Sequence, residues 1–180
     1  PWVTTNVVWA PGGSAGAPGA HTTFVVTHGS QPRFQIDEIA KDMLRAVRFI
    51  RAQAVDYGVD PAKLGISGGS AGGHLSLMVA TQGGPGDPLA AAPVDRESSA
   101  VQAVESHYPP THFLDWSGKG DGAVGVGGLS WLSGAFGPEA SSHEGPRLVA
   151  EAYRSFRDGA AGQHPRSAAD GFETGGCSHA

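Results

Sequence analysis

Apolar and polar residues alternate along the chain with two different periods, which predicts strands and helices in turn. Residues 3–10 (VTTNVVWA) and 21–27 (HTTFVVT) are rich in β-branched and aromatic side chains, as strands are. Residues 36–56 instead repeat apolar positions at spacings of three and four. That spacing predicts an amphipathic helix, and Gly58 supplies a natural end for it.

The same alternation continues for one more unit. Residues 63–68 (KLGISG) predict a short strand, residues 71–81 a second helix and residues 101–108 a further strand. Strands that alternate with helices favour parallel pairing through crossover connections. We therefore predict an α/β fold with a mostly parallel sheet and flanking helices. Glu105 lies in the last of these strands, where we expect burial and hence a costly carboxylate.

The regular pattern weakens toward the carboxyl terminus. Beyond Ser117 the periodicity is poor, and no strand pattern is evident after Phe156. We assign residues 1–156 to a partial domain and residues 157–180 to a disordered or non-homologous tail.

Composition excludes several classes of partner. The 180 residues include 17 acidic and 12 basic side chains, a net charge of −5, which argues against a nucleic acid or an anionic membrane surface. No apolar run approaches the roughly 20 residues that a membrane-spanning helix needs, and the first residues do not resemble a signal peptide. The single cysteine excludes an internal disulfide framework and a cysteine-based zinc site. Compartment and oligomeric state stay open.

The pentapeptide GGSAG occurs twice, at residues 12–16 and 68–72, and both copies match the G-x-S-x-G pattern of a nucleophile elbow. A strand precedes Ser70 and a helix follows it, whereas Pro18 prevents a helix after Ser14. An elbow lifts the serine hydroxyl above the sheet and directs the first amides of the helix at the reacting oxygen. Ser70 is therefore the predicted nucleophile. The alternative is a glycine-rich turn that only joins a strand to a helix.

Several segments are similar to the α/β-hydrolases. THGSQPRF at 27–34, GISGGSAGGHLSLM at 65–78 and PPTHF at 109–113 resemble the bacterial esterase/lipase branch, which includes feruloyl-esterase-like and acetyl-esterase-like enzymes. The resemblance implies hydrolysis of a small-molecule carboxylic ester by a serine nucleophile, with no cofactor and no metal. It also implies a partial α/β-hydrolase fold, truncated after the cap region, whose C-terminal strands are missing.

The resemblance further implies roles for residues around the serine. The backbone N–H of Ala71 would hold the oxyanion, together with Gly12 or Gly13 in the loop after the first strand. His28 and Gly69 would line the site from the ends of their strands.

The catalytic acid and base are harder to place. In hydrolases of this type they follow the serine along the chain, and Asp170 with His179 is the pair we select. No apolar strand precedes either residue. Two other hypotheses therefore stay open: a catalytically incomplete remnant, or a small α/β module that binds an anion at the helix amino terminus formed by residues 71–73.

Overall fold

The computed structural model describes residues 5–11, 21–30, 33–111 and residue 135. Within these ranges the elements are β1 Thr5–Pro11, β2 His21–Thr27, α1 Ile36–Ala52, α2 Ala54–Tyr57, β3 Gly65–Gly69, α3 Ala71–Gln82, a 3-10 turn at Pro93–Arg96 and β4 Ala103–His107. Every strand and helix predicted up to His107 is present. The predicted long helix is divided at Gln53 into α1 and α2, and the 3-10 turn was not predicted.

The described strands form one sheet in the order β2-β1-β3-β4. β3 and β4 are parallel and are joined by α3, as predicted. β1 is antiparallel to both of its neighbours, so this part of the sheet is mixed rather than mostly parallel. For the β1–β2 pair the reason is their connection: it consists of residues 12–20 alone, which is shorter than the dozen or so residues that a parallel crossover needs.

Both long helices pack on the same face of the sheet and bury one core. The apolar stripe predicted for α1 forms its buried face: Ile39, Met43, Val47 and Ile50. This face meets side chains from the sheet and from α3, namely Val8, Ala10, Ile66, Leu75, Met78 and Val79. At Gly58 the backbone enters the left-handed region (φ 63°) and ends α2, as expected for a glycine in that position.

β4 lies at an edge of the described sheet, and this corrects the expectation for Glu105. The hydroxyl of Ser106 donates to the carbonyl oxygen of Gly73 in α3 (3.0 Å). Because successive side chains of a strand point to opposite faces, Glu105 and His107 point away from α3. The expectation that Glu105 is buried is wrong: its side chain is 64% exposed and its Oε1 lies 3.1 Å from Nε2 of His107.

Arg51, near the end of α1, fastens the long connection between α3 and β4 to the helix. Its Nη2 donates to the carbonyl oxygen of Ala100 (2.7 Å), and its Nη1 donates to that of Ser98. Its Nε donates to the carbonyl oxygen of Pro61 (3.0 Å). One guanidinium thus satisfies three backbone acceptors in segments that lack regular secondary structure.

Substitution of Arg51 tests whether these three hydrogen bonds stabilise the fold. We expect Arg51→Met to lower the free energy of unfolding by about 2 kcal/mol, because partly buried carbonyls lose charged donors. Arg45→Met is the control, since its ion pair with Asp95 (3.0 Å) is largely exposed and such pairs contribute less than about 1 kcal/mol. Urea unfolding of the two variants compares them, and equal losses would contradict the assignment.

His74 connects α3 to the segment that leaves β4. It is 6% exposed, and its Nδ1 lies 2.8 Å from the carbonyl oxygen of Pro110. A carbonyl oxygen only accepts, so Nδ1 carries the hydrogen. Burial lowers the pKa of His74, and the bond to Pro110, which raises that pKa, is the smaller effect. The native imidazole is therefore neutral at pH 7.

A depressed histidine pKa makes stability depend on pH with a definite sign. Below about pH 6.5 the unfolded chain binds a proton at this residue more readily than the native state does. We expect the free energy of unfolding to fall as the pH drops through this value, by at most about 1.4 kcal/mol per pH unit from this group. His74→Asn retains a donor for Pro110 and should show a shallower loss between pH 7 and pH 5. Urea titrations at each pH measure it, and parallel curves for the two proteins would refute it.

Candidate active site

Ser70 occupies the turn between β3 and α3 with an unusual backbone conformation. Its φ is 54° and its ψ is −121°, and its side chain is exposed. A positive φ is uncommon for a residue other than glycine and costs on the order of 1–3 kcal/mol. The turn is held from both sides: the N–H of Ser70 donates to the carbonyl oxygen of His107 (3.0 Å), and its own carbonyl accepts from the N–H of His74 (3.0 Å). The strand, sharp turn and helix expected around Ser70 are therefore present.

Gly68 lets the first turn of α3 approach the sheet closely. A Cβ on Gly68 would lie 2.5 Å from the carbonyl carbon of Gly72 and 2.6 Å from its oxygen. Both atoms are backbone, so any side chain at position 68 requires the turn to move. The first glycine of the pentapeptide thus has a steric reason in this structure.

Asn6 is a buried anchor that the sequence analysis missed. Its Nδ2 donates to the carbonyl oxygen of Gly72 (2.7 Å) and to Oγ of Ser76 (2.8 Å), and the side chain is fully buried. The Ser76 hydroxyl donates to the same carbonyl (2.9 Å). β1 is thereby tied to the first turn of α3. The available signal was a polar residue in the middle of an otherwise β-branched and aromatic strand.

The amino end of α3 has the electrostatics that an anionic intermediate requires. Ala71 is its first residue, and the N–H groups of a first turn have no acceptor within the helix. The first turn contains no acidic residue, so the positive end of the helix dipole is not offset there. The N–H of Ala71 follows Ser70 directly and suits a developing oxyanion.

The direction of β1 determines where the loop expected to supply a second donor leaves the sheet. Asn6 pairs with Gly68 and Trp9 with Gly65, so β1 runs away from Ser70 toward its end at Pro11. The N–H of Asp60, in the segment before β3, donates to the carbonyl oxygen of Pro11 (3.2 Å). Pro11 therefore lies near the start of β3, at the opposite end of that strand from Ser70. Gly12 and Gly13 themselves lie outside the described residues. Their role as oxyanion donors stays a prediction.

His28 and Gly69 lie at the same end of the sheet as Ser70, and of the three only His28 lines the cavity described next. Gly69 ends β3 and pairs with His107 of β4. His28 follows β2 and lines a cavity of about 400 Å³ whose other walls come from α1 and Val94. Neither Ser70 nor Gly69 lines it. A role for His28 around Ser70 stays a prediction, as do the roles of Asp170 and His179, which lie outside the described residues.

Among the described residues, no group of three or more His, Cys, Asp or Glu side chains is arranged to hold a metal ion. In the same part of the chain, no helix has the length and apolar character to cross a membrane.

Comparison with known proteins assigns the chain to a family of ester hydrolases. Residues 8–139 match the BD-FAE family model. Two curated relatives come from Mycobacterium tuberculosis (strain ATCC 25618 / H37Rv): Esterase LipQ, 32% identical over 83 residues, and the probable carboxylic ester hydrolase LipM, 34% identical over 83 residues. Each alignment covers 46% of this chain and 19% of the relative. The chain thus spans about a fifth of the length of these relatives.

Two solved structures are similar over about half of the chain. The acetyl ester-xyloside bifunctional hydrolase from Caldicellulosiruptor lactoaceticus has 29% sequence identity and a TM-score of 0.47, covering 53% of this chain and 34% of that one. A truncated form of a carbohydrate esterase from gut microbiota has 24% identity and a TM-score of 0.45, covering 52% of this chain and 36% of that one.

The family match covers well over half of the chain, and both curated relatives have names that denote ester hydrolysis. The resemblance found in the sequence is confirmed. The chain belongs to the α/β-hydrolase-like BD-FAE family.

Proposed function

We propose that the protein hydrolyses small carboxylic esters and that Ser70 is its nucleophile. The observation that carries the proposal is the exposed side chain of Ser70 on a turn with φ 54° between β3 and α3. Serine hydrolases of this architecture need such a strained turn, because it raises the hydroxyl above the strand ends. The names of the two curated relatives, an esterase and a probable carboxylic ester hydrolase, support an ester as the substrate class.

In this proposal Ser70 Oγ attacks the ester carbonyl while a histidine removes its proton. The carbonyl oxygen becomes an oxyanion, which the N–H of Ala71 stabilises. One donor of this kind is worth on the order of 100- to 1000-fold in rate. When the intermediate collapses, the histidine returns the proton to the departing alcohol, and water then releases the acid from the acyl-serine. We assign the base to His179 and its orienting carboxylate to Asp170, in the chain order typical of these enzymes.

The repeated pentapeptide provides a matched test of Ser70. We expect a fluorophosphonate probe to label Ser70 in the full chain, and peptide mass analysis to locate the label there. Ser70→Ala should abolish both labelling and hydrolysis of p-nitrophenyl acetate. Ser14→Ala alters the same pentapeptide outside this turn and should leave both unchanged.

Other outcomes separate the remaining hypotheses. Hydrolysis that persists unchanged in Ser70→Ala would exclude this nucleophile. A folded protein that the probe never labels would instead be a catalytically incomplete remnant. If sulfate also raised the Tm of that unlabelled protein, the anion-binding alternative at the amino end of α3 would be favoured.

The close approach at Gly68 gives a second prediction. We expect Gly68→Ala to lower the free energy of unfolding by about 1–3 kcal/mol, because the new methyl group displaces the backbone of Gly72. The displacement moves Ser70 relative to Ala71, so probe labelling should slow at least tenfold in protein that is still folded. Ser67→Ala, one residue earlier in β3, is the control. Labelling at the wild-type rate in folded Gly68→Ala would show that this contact does not set the geometry of the turn.

A further inference from the structure

Ser70 has a counterpart on the neighbouring strand. Tyr108 follows β4 directly, as Ser70 follows β3, and the preceding residues Gly69 and His107 are register partners. The N–H of Ser70 donates to the carbonyl oxygen of His107 (3.0 Å). Tyr108 therefore lies beside Ser70, at the same end of the two parallel strands.

Tyr108 adopts a backbone conformation that its side chain disfavours. Its φ is 40°, and among the described residues only Tyr108 and Ser70 combine a positive φ with a residue other than glycine. For a bulky side chain such a φ is a genuine outlier, and strain of this kind concentrates at functional sites. Two adjacent strand ends therefore carry this strain side by side.

Packing of the Tyr108 ring does not explain this strained conformation, because the ring is mostly in solvent. The residue is 81% exposed and is one of the most exposed large hydrophobic residues in the described chain. A Cβ built on Gly69 would lie 3.1 Å from the Tyr108 hydroxyl oxygen, so the phenol reaches back over the residue that precedes Ser70. An aromatic ring thus stands in solvent within a residue of the proposed nucleophile.

We propose that Tyr108 is a substrate-contacting residue whose ring packs against the apolar chain of the ester held at Ser70. This inference rests on the proposed function and deepens it. An exposed ring next to a reacting group provides apolar surface to a bound chain, and each methylene buried in such contact is worth about fourfold in binding. Tyr108 then determines preference for chain length rather than the chemistry of bond cleavage.

The substitutions at this position separate the ring from the backbone conformation. Asparagine tolerates a positive φ well, so Tyr108→Asn removes the ring without adding strain, and its Tm should not fall. Tyr108→Phe retains the ring and removes only the hydroxyl. The measured quantity is kcat/KM for p-nitrophenyl butyrate divided by that for p-nitrophenyl acetate, with butyl and methyl acetate as a second pair that varies the alcohol side.

We expect Tyr108→Asn to lower this ratio at least about fourfold in one of the two pairs, since at least one of the two or three methylenes by which the esters differ loses contact. Tyr108→Phe should keep the wild-type ratio within about twofold, because the ring is the contacting group. A purely structural role would reduce activity on the short and long esters equally and leave the ratio unchanged.

The outcomes also separate this inference from the proposed function. Unchanged ratios in both pairs, with hydrolysis that still depends on Ser70, would overturn the role of Tyr108 and leave the nucleophile in place. A fall in Tm for Tyr108→Asn together with unchanged ratios would assign Tyr108 to stability alone. Wild-type protein without hydrolysis dependent on Ser70 would remove the proposed function, and the role of Tyr108 with it.

Discussion

The contact between the backbones of Gly68 and Gly72 determines how α3 meets the sheet, and most of the other features described here depend on it. No side chain fits at position 68, so the helix can begin almost against the strand it follows. Asn6 then bonds the carbonyl of Gly72, and this bond compensates part of the cost of burying an amide in the core. The sharp reversal at Ser70 follows from this geometry. Strain in the turn persists because the surrounding contacts overdetermine it.

Hydrogen bonds from the neighbouring strand complete this arrangement. The backbone of Ser70 bonds to His107, and the imidazole of His74 bonds to Pro110, on either side of Tyr108. The end of β4 is thereby fastened to α3 at two points. These two fixed points hold the backbone of Tyr108 between them. The strained residues at the two strand ends belong to one hydrogen-bonded unit rather than to two separate turns.

Much of the fold was predictable because local patterns determine it. The stripe of α1 and the glycine that ends α2 depend on spacing and backbone sterics alone, and both are as predicted. The exposure of Glu105 was not predictable in this way, because it depends on which strands lie beside β4. The prediction of parallel pairing was wrong for β1 for a similar reason: a β-branched run has the same sequence pattern whichever way the strand runs. Asn6 escaped notice because its partners are far away in the sequence.

The reversed direction of β1 also has a practical consequence for handling the protein. Thr5 begins this strand, and the next residue, Asn6, pairs with Gly68 close to the serine turn. A reporter dye attached at the start of β1 would therefore lie close to the serine turn, where it would compete with incoming molecules for space.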